Sequence, residues 1–112
     1  MLKAVNFTKK DEINAMSSTP LQKVAGQMLE VLGAAITERP DETTGEVKKV
    51  GIIISKEFGA LSTISGTAIK SLDMIIDYMT ELKDSGDDTP VIINAKTSKS
   101  NAGREFLTLE IV

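Results

Sequence analysis

The sequence predicts a mainly β domain in which five strands curl into a small barrel, one helix caps it, and a shorter helix precedes it. Three observations carry that expectation. Residues 27–38 alternate with period two, residues 66–83 repeat apolar side chains every three or four positions, and residues 91–112 hold two extended segments around a polar turn. An α+β layer, with five antiparallel strands covered on one face by helices, fits nearly the same pattern.

A chain of 112 residues is the size of one ordinary domain. Residues 1–112 therefore read as a single domain, with 1–23 as an N-terminal extension and 24–112 as the core. Hydrophobic residues make up 41% and charged residues 26%, which fits a folded domain and argues against disorder. Residues 1–7 contain no apolar stretch of signal-peptide length, and apolar runs such as Ile52-Ile53-Ile54 are far short of a membrane span. The expected location is the cytoplasm, with no membrane partner.

Elements follow in order. Thr8 begins a short helix with acids in its first turn, Ile13 and Met16 are its apolar anchors, and Ser17-Ser18-Thr19-Pro20 breaks it. In the first core strand Leu29 and Val31 share a face, and after Gly33 the phase switches so that Ala34 and Ile36 turn inward. A bulge or bend at the glycine explains the switch; a straight strand carrying one glycine is the plainer account. Residues 40–46 are dense in turn formers, and Val47, Val50, Ile52, Ile53 and Ile54 make the next segment a β-branched strand. Glu57-Phe58-Gly59 reverses the chain into a short third strand, residues 60–64.

Ser65 caps the main helix. Ile69, Leu72, Ile75, Ile76, Met79 and Leu82 form its apolar stripe, and Lys70, Asp73, Asp77 and Glu81 decorate the opposite side. Tyr78 lies at the boundary as a packing residue. Gly86 and Pro90 end the helix, and strands over 91–97 and 104–112 close the chain as a hairpin in which Leu107, Leu109 and Ile111 share a face. The resulting core order, β-β-β-α-β-β, is that of the OB-fold, a partly open Greek-key barrel whose strand 2–3 face and loops 1–2 and 4–5 bind oligonucleotides or oligosaccharides.

Charge is distributed unevenly. The chain is −3 overall, yet residues 70–90 set six acids against two lysines, whereas residues 94–104 hold Lys96, Lys99 and Arg104 with no acid. Lysine and arginine neutralise phosphates, and Ser, Thr and Asn donate to phosphate and sugar oxygens, so this loop suits a strand of nucleic acid. The candidate nucleic-acid-binding residues are Lys48, Lys96, Lys99, Asn101, Arg104 and Arg39, with Phe106 and Phe58 as rings for base stacking. Lys49 and Lys56 add positive charge nearby. A solvated hairpin and an edge-covering phenylalanine are the plain alternatives.

Catalysis is not expected. The chain has no cysteine and no histidine, which removes thiol nucleophiles, thiolate or imidazole metal sites and the usual neutral-pH proton carrier. Asp73, Asp77 and Glu81 pair at helical spacing but on a face predicted to be wet, and 84–88 lacks the ligand spacing of a calcium loop. No cofactor or metal is expected.

The segments Val24-Ala25-Gly26-Gln27 through Arg39-Pro40, Thr44-Gly45-Glu46-Val47, Ile64-Ser65-Gly66-Thr67 through Leu72, and Lys96-Thr97-Ser98-Lys99 with Gly103-Arg104-Glu105-Phe106-Leu107 resemble small single-stranded-DNA-binding proteins of bacteriophages and mobile elements. The resemblance covers most of residues 24–112 without a diagnostic signature. It implies an OB-fold replication or recombination accessory that coats exposed strands of DNA, and it leaves self-association and contacts with replication proteins open. The low aromatic content, 4%, departs from the usual pattern of such proteins. A phage structural or adaptor protein acting through protein–protein contacts is the rival expectation.

Overall fold

The computed structural model describes residues 1–99, 101–103 and 105–112. Among them, strands β1 (Lys3–Val5), β2 (Thr19–Pro20), β3 (Met28–Pro40), β4 (Val47–Ser55), β5 (Gly59–Thr63), β6 (Val91–Lys99) and β7 (Glu105–Ile111) form one sheet, with helices α1 (Lys9–Asn14) and α2 (Gly66–Asp84). The sheet order is β2-β5-β4-β3-β6-β7, and β1 adds to β3. Every pairing is antiparallel except β2 with β5. Strands β3, β4 and β5 follow one another through tight reversals, and β6 returns after α2 to lie on the other side of β3, which is a Greek key. The sheet curls into an open half-barrel, so the mainly β, barrel-like class holds.

Strand β3 is the spine. One edge pairs with β4 from Val31 to Pro40; the other pairs with β6 over Met28–Val31 and then with β1 over Ala34–Ile36. The change of partner coincides with a register shift between Val31 and Gly33. Leu29 and Val31 face the main core before it, Ala34 and Ile36 after it, and Leu32 is left exposed as the extra residue. Such a two-against-one step bends a strand and reverses its inward parity. The bulge reading of Gly33 therefore holds over the straight strand.

Helix α2 covers one face of the sheet. Ser65 Oγ accepts the Ala68 N–H as its N-cap, and Ala68, Ile69, Leu72, Ile75, Ile76 and Met79 bury the apolar stripe. The helix crosses β4 closely at Gly51, where a Cβ would lie 2.9 Å from Leu72 Cδ2. No helix among the described residues is long and apolar enough to cross a membrane.

The N-terminal extension departs most from expectation. Two short strands, β1 and β2, lie within residues where the sequence pattern suggested none, because each is too short to show a period. Val5, Leu21 and Val24 join the main core and tie the extension down at both ends. Helix α1 forms with the expected Thr8 cap, closed by Asp11 into a capping box. Its expected anchors are corrected: Ile13 and Met16 are 61% and 79% exposed, and Ala15, at 1%, packs instead. Ala15 and Phe7 cover Val50, Ile52 and Ile54, which alternate with Gly51 and Ile53 and so occupy the face of β4 opposite α2. Ile111 is also half exposed, unlike Leu107 and Leu109 on the same side of β7.

Candidate nucleic-acid interface

The half-barrel is open between β7 on one side and β5 with its short partner β2 on the other. A groove of about 410 Å³ occupies this seam, lined by Pro20, Ser62, Thr63, Thr97, Glu105 and Phe106 among others. Phe106 is half-buried in its wall. Ser18 Oγ donates to Ser62 Oγ at 2.8 Å, and Thr67 Oγ1 donates to the Leu107 carbonyl at 2.8 Å, so side chains from the extension and from α2 tie down the groove's two walls.

The predicted cations do not converge on it as a set. Lys96 and Lys99 are three apart on β6, so their side chains leave opposite faces. Lys99 pairs in register with Glu105 and shares a face with Thr97 and Leu107 at the hairpin tip, whereas Phe106, opposite Ser98, has the parity of Lys96, so the groove's lining draws on both faces of the hairpin. Lys96 lies on the other face, where its Nζ is 2.9 Å from Glu110 Oε2. Asn101 is exposed in the turn between β6 and β7. Arg104 lies outside the described residues.

Arg39 and Lys48 sit directly opposite one another on β3 and β4. They are at the far end of the spine, since β6 runs back past the start of β3 while the β3–β4 turn follows its end. Lys48 Nζ is 3.1 Å from Asp41 Oδ2, and the same carboxylate accepts the Thr43 N–H at 2.7 Å and the Thr44 N–H at 3.2 Å. Those amides, with Lys48, hold the Asp41 carboxyl below the usual carboxylate range. Phe58 is exposed in the β4–β5 turn, its N–H bonded to Ser55 Oγ at 3.0 Å, at the same end of β3 as the β6–β7 tip.

Comparison with protein-family models, with curated proteins and with solved structures returns no match. The chemistry of the surface therefore rests on its own residues.

Two features escaped the sequence reading. Asp73 and Asp77, weighed there as a carboxylate pair, both bind Lys3 of β1, each with an oxygen 2.6 Å from its Nζ. Its hydrogen bonds to Asp73 and then Asp77 raise the Lys3 pKa above its ordinary value. The second feature is a groove of about 640 Å³ between the N-terminal half of α2 and the far end of β4, with Lys48, Lys49 and Lys70 among its lining. Period two along β4 was the available signal, because Lys49 shares its parity with Gly51 and Ile53, which face α2.

Proposed function

We propose that this chain is a non-enzymatic binder of single-stranded DNA built on an OB-type half-barrel, with the strand running along the open seam between β5 and β7. The observation that carries the reading is the seam groove itself: an aromatic ring, Phe106, in a mixed wall of apolar and hydroxyl-bearing side chains with one acid, Glu105, and with Lys99 and Asn101 toward the hairpin tip. Aromatic stacking and cationic contact to phosphate are the two terms that single-strand binding needs. The β-β-β-α-β-β order with a Greek key supports the OB assignment.

The same geometry moves the binding surface away from the strand 2–3 face usual for that fold, because Phe7 and Ala15 cover the outer side of β4. It also reduces the roles of Lys48 and Lys96, whose charges already meet Asp41 and Glu110. Those two ion pairs favour the second reading, an adaptor that works through protein contacts.

A fluorescence anisotropy titration with labelled oligo-dT at low salt tests the proposal. Saturable binding that weakens as salt rises is the expected outcome. Indifference to the oligonucleotide at low salt overturns it and leaves the adaptor reading.

A further inference from the structure

The surfaces at the two ends of α2 carry opposite charge. At the N-terminal end, the groove of about 640 Å³ is lined by Lys48, Lys49 and Lys70 together with the apolar side chains of Ile36, Ile64 and Ile69. Ile64 is 69% exposed, a large apolar side chain left in water beside three ammonium groups. At the C-terminal end, the chain leaves the helix through an exposed loop that presents Asp84, Asp87 and Asp88 ahead of Thr89 and Pro90. That loop is preorganised: Asp87 Oδ1 accepts both the N–H and the hydroxyl of Thr89, and the Asp87 N–H donates to the Leu82 carbonyl at 2.8 Å. Among the described residues, no ion pair engages Lys49, Lys70, Asp84, Asp87 or Asp88.

A helix of 19 residues holds these ends about 28 Å apart, so one molecule cannot satisfy its own groove with its own loop. We propose that the lysine groove docks the acidic loop of a second copy of this chain, giving a head-to-tail contact. The carboxylates of Asp84, Asp87 and Asp88 meet the ammonium groups of Lys49 and Lys70, Lys48 being already held by Asp41, and the aliphatic parts of Thr89 and Pro90 cover Ile64. A phosphodiester chain would satisfy the lysines but leave Ile64 in water. A protein loop with clustered acids and a proline meets both requirements. Because donor and acceptor surfaces differ, the contact is heterologous and propagates into rings or filaments instead of stopping at a symmetric dimer. The groove adjoins the seam assigned to nucleic acid, since Ile64 lines both.

Sedimentation velocity on the purified chain, without DNA, tests it. The wild type is expected to show a sedimentation coefficient that grows with concentration at low salt and falls to the monomer value at high salt. Lys49→Glu/Lys70→Glu and Asp84→Lys/Asp88→Lys change only exposed side chains, and each should weaken association at least about tenfold. Circular dichroism confirms that both remain folded. Mixing the two variants restores both contacts, the acidic loop in the lysine groove and the lysine loop in the glutamate groove, so association of the mixture where neither variant associates alone is the expected signature. A wild type that stays monomeric at every concentration overturns the proposal, as does a variant that associates undiminished. Loss of oligo-dT affinity in Lys49→Glu/Lys70→Glu, with a monomeric wild type, also overturns it and gives the groove to nucleic acid.

Discussion

A Cβ built on Gly33 would sit 2.1 Å from the carbonyl oxygen of Asn6. Strand β1 leaves the sheet there, at the point where β3 bulges, and Asn6 takes a left-handed backbone conformation with φ of 48°, which asparagine tolerates better than most residues. Gly33 therefore admits no side chain, for steric reasons and not for its own φ. Gly33→Ala must push β1 off β3 or flatten the bulge. The expected loss is about 3 kcal/mol of unfolding free energy, at the upper end of overpacking costs. Urea denaturation reads it as a fall in midpoint at an unchanged slope, and wild-type stability in the variant would show that the extension yields without cost.

The two phenylalanines assigned to stacking should separate. Phe106 lines the seam groove, whereas Phe58 stands 42% exposed in the β4–β5 turn. If DNA follows the seam, Phe106→Ala weakens oligo-dT binding by about 1–3 kcal/mol, and Phe58→Ala changes it little. Lys99→Ala should lower the slope of log affinity against log salt by about 0.7, the single-strand increment for one phosphate contact. Lys96→Ala leaves that slope in place, since Glu110 already holds the Lys96 charge. A loss of slope in Lys96→Ala with Lys99→Ala silent would place the strand on the outer face of the β6–β7 hairpin, whose parity Phe106 shares with Lys96.

Asp41 gives the β3–β4 turn a defined response to acid. Its folded pKa is depressed by the Thr43 amide, by Lys48 and by the Thr44 amide, so its ionised form favours the folded turn. That contribution is fully present above the unfolded carboxylate pKa and disappears as pH falls through the lower, folded value. The turn should persist through the ordinary carboxylate range and loosen only below it. Two-dimensional NMR of the Thr43 and Thr44 amides across an acid titration follows this directly. Asp41→Asn should remove the transition and release Lys48 without unfolding the sheet.

The elements with a long period were legible, and the contacts between distant segments were not. The stripe from Ile69 to Met79 and the β-branched run from Val50 to Ile54 each repeat often enough to fix a face. The phase change at Gly33 also showed in the sequence, although its cause, the Asn6 carbonyl, lies 27 positions away. Ile13 and Met16 misled because a six-residue helix shows less than two turns, too few to tell the packed side from the wet one, and the small Ala15 took the contact. For the site, residue type was visible and pairing was not: Lys48 and Lys96 read as cations available for phosphate until Asp41 and Glu110 appeared beside them.

The extension supplies the last test. Residues 6–17 cross the outer face of β4 with Ala15 and Phe7 as their main apolar contacts, while Val5 before them and Leu21 and Val24 after them are set in the core. A strap fixed at both ends and weakly held between them should open locally without global unfolding. Ala15→Asp buries a carboxylate against Val50 and Ile52, which costs about 1–3 kcal/mol at that contact and lifts the strap. Trypsin should then cut after Lys9 and Lys10 much faster than in the wild type, while the amides of β3 and β4 keep their slow hydrogen exchange. Oligo-dT affinity distinguishes the two faces. With the strand in the seam, releasing the strap leaves affinity unchanged; a rise in affinity would mean that the strap covers the true binding face, and the seam assignment would fall.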